Sequence, residues 1–333
     1  MIVVVFHPVS NTSPAAVDLS PQQELATRLV DALERIIRGK TAELRKVVTC
    51  LLSPGHLLIE DLPGLGKTTL AKAVSRLIQG GDGQGIVFRR IQFTPDLLPY
   101  DITGVDIFDP EKRDFVFSPG PVFGNIILAD EVNRSTPKVQ SALLEVMAER
   151  QVTVGNKTHD LDTLFFVVAT QNPIEIHGTY PLPIAQLDRF LMRLTLGYPS
   201  PEEELKILTE DPSQFILPNL QAVCTRDDVL AAQKSVDSVY CDEKLLKAAI
   251  DIAGVTRNTT KLKYGVSPRG TLMLLRVARA YALVHGRDFV IDQDILEIAE
   301  PVLAHRVVPR EPDTDTRDVI RKIAQARLQT LHR

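Results

Sequence analysis

Cysteine is scarce: Cys50, Cys224 and Cys241 are the only three in 333 residues. Their spacing fits no metal-ligand pattern, and an odd, thin count does not make a disulfide framework. They read as buried or idle thiols in a reducing compartment. An excess of one charge is also lacking: 38 basic against 42 acidic residues leave a net charge of −4. Nothing in that balance announces a nucleic-acid or anionic-membrane partner. No apolar run approaches the roughly 20 residues that a membrane span needs. The opening "MIVVVFHPVS" is apolar but has neither the basic start nor the small-residue cleavage site of a signal peptide. A cytoplasmic protein is expected, with that stretch either a strand or an artefact of where translation starts. The seven histidines include no pair spaced i, i+4 on one helix, so no zinc site is predicted. His177 in "IHGTY" reads as a structural or surface histidine. Internal repeats and low-complexity segments are absent.

What is present suits a soluble globular chain. Apolar residues make up 44% and charged residues 24%, which are ordinary proportions, and the length suggests about two domains. Residues 1–20 read as an extension ending in a Ser/Pro/Thr/Asn-rich linker. From Pro21 to Leu52 the apolar spacing is helical, with Leu25, Leu29, Leu33 and Ile36 on one stripe. Short apolar runs then follow: "HLLIE" (56–60), "IVFRRIQF" (86–93), "NIILAD" (125–130), "LFFVVAT" (164–170) and "LMRLTLG" (191–197). Most are too hydrophobic to alternate, as strands covered on both faces of a parallel sheet should be. Helical runs separate them, so an α/β layer architecture is predicted over 21–198. The proline-rich segment 94–123 is too long for an ordinary connection and reads as a functional insertion. It carries strand-like pieces "VDIF" and "DFVF" around the turn "DPEK". Residues 151–163 read as a hairpin turning at Gly-Asn. After "GYPSP" helical periodicity takes over, and 199–333 is predicted to be all-helical. Leu272, Leu275, Ala278 and Ala282 form a core stripe there. The basic amphipathic tail is expected to pack on the same unit.

The chemistry starts at "EDLPGLGKTT" (60–69), a strand–loop–helix passage holding Pro63, Gly64, Leu65, Gly66, Lys67, Thr68 and Thr69. Consecutive backbone N–H groups curling at a helix N-terminus bind phosphate. Gly64 and Gly66 permit the backbone angles, Lys67 reaches the outer phosphates, Thr68 offers its hydroxyl to Mg²⁺, and Thr69 opens the helix. Asp61 stands where the usual pattern has its first glycine, and it is expected to point away from the phosphates. "NIILADE" ends a buried strand in two acids: Asp130 for the metal and Glu131 to orient or deprotonate the attacking water. "LFFVVATQNP" ends another strand at Asn172, on the carboxyl edge of the sheet where ligands of such folds bind.

The order of phosphate loop, "LADE" and "ATQNP" resembles an AAA+ ATPase. "DEVNRSTPKVQSALLEVMAERQVTV" (130–154) and "ATQNPIEIHGTYPLPIAQLDRF" (169–190) resemble the MoxR family within it, and the likeness spans roughly residues 30–310. MoxR-like chains often carry an acid where Asp61 sits. The resemblance implies a parallel five-stranded sheet flanked by helices, followed by a helical lid. It implies Mg²⁺-dependent ATP hydrolysis between subunits of a ring of six. It places an arginine finger on Arg189 in "QLDRF", acting in trans, and a second phosphate sensor on Arg269 in "VSPRG". There Ser267 suits an N-cap and Pro268 the first helical residue. An arginine in a first helical turn opposes the helix dipole, which points to an anion outside the helix. Arg134 is placed near the subunit edge. Ile37 and Gly39 in "IIRGK" resemble the adenine-contacting segment, although Lys40 departs from the usual glutamine. The implied work is chaperone-like: maturing, or inserting metal into, partner complexes, often with a von Willebrand factor A domain partner. Two rivals are a nucleic-acid motor of the same fold and a non-hydrolysing nucleotide switch or scaffold.

Overall fold

A computed structural model describes residues 18–81, 85–173 and 178–332. The opening "MIVVVFHPVS", most of the expected linker and His177 lie outside the described residues. Five strands form the central sheet: β1 (Leu57–Glu60), β2 (Phe88–Gln92), β3 (Ile126–Asp130), β4 (Phe166–Gln171) and β5 (Met192–Leu194). All neighbours are parallel, in the order β5-β1-β4-β3-β2. Parallel pairing requires crossovers, and the crossovers cover both faces. Leu57, Ile59, Leu128, Phe166 and Val168 therefore face one core, with helices Ser20–Glu34, Thr41–Leu52 and Lys67–Arg76. Leu58, Ile127, Ala129, Val167 and Ala169 face the other, with helix Pro137–Glu149. Because β1, β3 and β4 are covered on both faces, their two alternating sets of side chains are nearly all apolar, which explains why those runs show no alternation.

The predicted insertion contains an antiparallel hairpin, Gly104–Asp109 with Asp114–Pro119. The second predicted hairpin pairs Gln151–Val154 with Lys157–Asp160. The two lean together: Phe117 stacks on His159 at 3.8 Å between ring centroids. The tip of the first carries exposed Ile107, Phe108 and Phe115.

Beyond β5 the chain is built from helices, including Glu243–Asn258, Pro268–Val284, Asp292–Leu303 and Thr316–Leu328. Two minimal strand pairs are added to it: Cys224–Thr225 beside Ile78–Gln79, and Leu262–Tyr264 beside Val308–Pro309. Such two- and three-residue pieces are too short to show a period in sequence. Ser267 caps its helix as predicted, accepting from the Gly270 N–H at 3.2 Å. The expected apolar stripe is displaced on that helix. Leu272 is exposed, and the buried face runs through Leu274, Val277, Ala278, Tyr281 and Ala282. The tail helix packs by Val319, Ile320, Ala324 and Leu328. All three cysteines are buried and free, and burial pushes the Cys224 thiol up to about 12.

His56 locks the start of β1 to two other elements. Its Nδ1 accepts from the Val167 N–H at 3.1 Å, and its Nε2 donates to the Met147 carbonyl at 3.2 Å. Both bonds require the neutral ring, and full burial lowers its pKa from 6.5 to about 4. Between those values the unfolded chain binds a proton that the folded chain refuses, so stability is present above pH 6.5 and lost as pH falls toward 4. Denaturant midpoints at pH 7 and pH 4.5 are expected to show a loss on the order of 3 kcal/mol from this ring. The His56→Gln variant is expected to show a shallower pH dependence, and an identical slope would contradict the assignment.

Candidate active site

Where β1 ends, the loop to helix Lys67–Arg76 bends through two residues with positive φ, Gly64 at 85° and Gly66 at 81°. Side-chain-bearing residues rarely adopt that conformation. Gly66 is the N-cap, so the helix opens at Lys67, two residues before Thr69. The Lys67 Nζ donates to the carbonyls of Asp61 at 2.6 Å and Leu62 at 2.8 Å, which folds the ammonium back over the loop. Burial lowers its pKa, while Asp61, Asp130 and Glu131 oppose that shift.

Asp61 does point away from the loop. One carboxylate oxygen accepts from the N–H groups of Leu196 and Gly197, both at 2.7 Å. The acid in place of glycine thus ties the entrance of the phosphate loop to the chain leaving β5. The neighbouring Glu60 ties the same strand end to Arg193 at 3.4 Å and to Arg317 of the tail helix at 3.0 Å.

A pocket of about 290 Å³ opens at the carboxyl ends of β1, β3 and β4. One wall is Pro63, Gly64, Gly66, Lys67, Thr68 and Thr69; the other is Asp130, Glu131, Thr170, Gln171 and Asn172. The three separately predicted motifs therefore meet in one place. Leu65 lies in the loop but not in the pocket wall. Ile37 lies beside the loop, its Cδ1 3.3 Å from where a Cβ on Gly66 would stand. Gly39 has a φ of 68°, and a Cβ there would meet Glu203 at 2.7 Å. Lys40 donates to the Tyr198 carbonyl at 2.7 Å. The "IIRGK" segment is thus fastened to the chain beyond β5, beside the phosphate loop.

The second wall is held by residues that the sequence reading missed. Thr170 Oγ donates to Asp130 at 2.7 Å and accepts from the Glu131 N–H at 2.9 Å. Glu131 adopts a left-handed backbone, with φ 59°. That conformation costs a non-glycine residue roughly 1–2 kcal/mol, and it turns the carboxylate toward Gln92 and Arg134. Gln92 Nε2 donates to Glu131 at 2.9 Å, and Arg134 pairs with the same carboxylate at 3.2 Å. Arg134 is therefore a partner of the predicted base within the chain. Arg90 places two nitrogens on Asp130, at 3.1 and 2.7 Å. A polar pair at i, i+2, Arg90 and Gln92 in "FRRIQ", was the available signal.

Arg189 and Arg269 are not brought to this pocket. Leu191 bonds His56 at the opposite edge of the sheet, where the strands begin. The four residues of β1 alone separate the two edges by roughly 13 Å. Arg189 donates to the Leu144 carbonyl at 2.9 Å. It makes no ion pair with its neighbour Asp188. Asp188 instead binds Arg306 at 2.8 Å and Arg269 at 3.8 Å. The anion that stands against Arg269 within the chain is thus Asp188. Arg306 is almost fully buried and also donates to Phe190 and Leu191 carbonyls. Burial brings its pKa down to about 10 against the opposing charge of Asp188. A wider cleft of about 450 Å³ lies between β5 and the tail helix. Its cations Lys46, Arg193, Arg317 and Arg321 already hold carboxylates.

The oxygen set fits a hard divalent cation. Thr68 and Asp130 offer a hydroxyl and a carboxylate in one pocket. Mg²⁺ is commonly held by one or two such ligands together with substrate phosphates. Among the described residues no cluster of three or more His, Cys, Asp or Glu forms a self-sufficient metal cage.

Comparison with known proteins agrees with this geometry. Residues 56–192 match the model of the ATPase family associated with various cellular activities (AAA), and residues 254–323 match the AAA lid domain. Chaperone MoxR1 of Mycobacterium tuberculosis is 40% identical over 299 residues, covering 87% of this chain and 77% of that one. The chain belongs to the MoxR family of AAA+ ATPases. The uncharacterized protein YeaC of Bacillus subtilis is 45% identical, with 87% of this chain and 88% of that one covered. A solved structure from Cytophaga hutchinsonii, described as a candidate ATPase, superposes with a TM-score of 0.82. It is 37% identical and covers 91% of this chain and 94% of its own. The MoxR-family chain is accordingly an ATP hydrolase with a nucleotide-binding α/β module and a lid.

Removing the Thr170 hydroxyl tests the second wall. Thr170→Val should cost about 1–3 kcal/mol in chemical denaturation, because the Glu131 N–H and one Asp130 oxygen lose their partner. ATP turnover should fall roughly 10- to 100-fold, the range for groups that orient metal ligands. Native-like values of both would show that the network does not hold the acids.

Proposed function

We propose that the protein hydrolyses ATP with Mg²⁺ at sites shared between neighbouring subunits of a six-membered ring, and spends that energy remodelling a protein client. The observation that carries this reading is the separation of the site into two halves on opposite edges of one sheet. The phosphate loop and acids line a pocket at the carboxyl edge, while Arg189, held by the Leu144 carbonyl, and Arg269, paired with the neighbouring Asp188, stand away from it. A second copy that brings its Arg189 edge to this pocket would join the two halves into one site.

In this reading the backbone of residues 63–69 cradles the phosphates, Lys67 reaches the outer ones, and Thr68 and Asp130 hold Mg²⁺. When bound, Mg²⁺ neutralises charge that develops on the transferring phosphoryl group. Glu131 takes the proton of the attacking water, and Asn172 positions that water. Arg189, with Arg269 beside it, offers positive charge to the nucleotide of the adjacent subunit. Ile37 and Gly39 border the adenine. We assign residues 21–198 to the nucleotide-binding domain and 199–333 to the lid.

The client side rests on the chaperone name of the Mycobacterium relative and on the exposed apolar tip of the first hairpin. Maturation of, or metal insertion into, a partner complex is the proposed work, with a von Willebrand factor A domain protein as partner. A cytoplasmic site of action suits the net charge of −4 and the lack, among the described helices, of one long and apolar enough to cross a membrane.

The test is ATP turnover against protein concentration. Specific activity should rise steeply as subunits assemble. Glu131→Gln should lower it roughly 10²- to 10⁴-fold, and Arg189→Ala roughly 10³- to 10⁵-fold. Turnover that is independent of concentration and survives Arg189→Ala would leave a monomeric ATPase.

A further inference from the structure

The acid assigned to the metal already holds a cation of the protein's own. Arg90 stands on β2, the edge strand beside β3, and its register opposite Leu128 points it along the same face as Gln92. Its Nε and Nη2 both bond one oxygen of Asp130, at 3.1 and 2.7 Å, while Thr170 bonds the other oxygen at 2.7 Å. The carboxylate is therefore engaged on both oxygens. The Asp130 side chain is 11% exposed, so its pairing is screened less than a surface pair would be. The arginine is 48% exposed and has room to leave. It also has an alternative acceptor: the same Nη2 donates to Gln92 Oε1 at 2.6 Å, and Gln92 Nε2 in turn donates to Glu131.

We propose that Arg90 is a built-in placeholder cation, which neutralises Asp130 until Mg²⁺ arrives with the nucleotide and displaces it. The inference rests on the reading of Asp130 as the metal-binding acid. Lys67, Arg90 and Arg134 already surround Asp130 and Glu131 with three positive charges. Together with Asp61 the cluster is balanced, three cations against three carboxylates, so a free divalent cation finds the acids already neutralised. The same cation arriving on a polyanionic phosphate chain brings its own negative charge to that balance. Arg90 thus makes metal binding conditional on nucleotide and discourages occupation of Asp130 by metal alone. On leaving Asp130 it stays bonded to Gln92, the side chain that holds Glu131, so metal arrival is communicated to the neighbouring acid through two hydrogen bonds. Arg90 acts here as a positioning residue: it touches the two acids' network and not the reacting atoms.

The experiment is a Mg²⁺ titration of fluorescent ADP binding to the full chain, free of any requirement for turnover. Arg90→Ala should lower the Mg²⁺ midpoint roughly two- to fivefold, the scale of a partly exposed charge pair. Arg90→Gln should shift it in the same direction, which covers the case of an alanine variant that folds poorly. Arg90→Lys, which keeps the charge but loses the fork, should stay near the native midpoint. An arginine that merely braced Asp130 would give the opposite sign, a raised midpoint in the alanine and glutamine variants, and that result overturns the proposal. An unchanged midpoint overturns it equally. A native chain that binds no ADP at saturating Mg²⁺ removes the ATPase reading and this proposal with it.

Discussion

Burial of the five-stranded sheet on both faces is the constraint from which the rest follows. A strand sandwiched between helices has no place for an unpaired polar side chain along its length. Charged groups therefore gather where strands end and on the two edge strands, where Arg90 and Arg193 stand. At the carboxyl edge, Asp130, Glu131, Thr170 and Asn172 meet the loop that follows β1. That loop begins a helix, so its free N–H groups and its dipole favour an anion there. Acids and phosphate in one pocket would repel each other, and the structure answers with cations: Lys67 over the loop, Arg90 on Asp130 and Arg134 on Glu131.

The opposite edge carries its own organisation, supplied by the helical part of the chain. Arg306 reaches from the end of helix Asp292–Leu303 into the segment before β5 and binds Asp188 together with two backbone carbonyls. A buried ion pair of this kind is costly to break from one side, because the remaining charge is left without a partner. The position of Arg189 is thus set by the lid as well as by the sheet. At the other edge Arg317 of the tail helix binds Glu60, directly before the phosphate loop. The helical part of the chain therefore grips both edges of the sheet, Asp188 through Arg306 and Glu60 through Arg317.

The sheet was legible because its strands are apolar runs bounded by turn residues, and the pocket because "GLGKTT", "LADE" and "ATQNP" each end a strand. Both hairpins were legible from their turns. Less visible was everything decided by distance in space. Arg90 and Gln92 look like solvated positions in "FRRIQ" until β2 is placed beside β3. Nothing in "VSPRG" reveals that Asp188 stands against Arg269. Leu272 fell on the wrong face because a leucine-rich helix supports more than one stripe of similar spacing. The two-residue strands after Gly197 carry too few side chains to show any period.

The central claim is that each hydrolytic site draws on two subunits, and complementation between two inactive variants tests it most directly. Lys67→Ala removes the phosphate-loop cation but keeps Arg189; Arg189→Ala does the reverse. Each alone should turn over ATP at a small fraction of the native rate. Mixed in equal amounts and allowed to reassemble, they should recover a substantial part of it, because the loop of one meets the finger of the other. A mixture no more active than its components, while still assembling, would contradict the shared site and return Arg189 to a structural role.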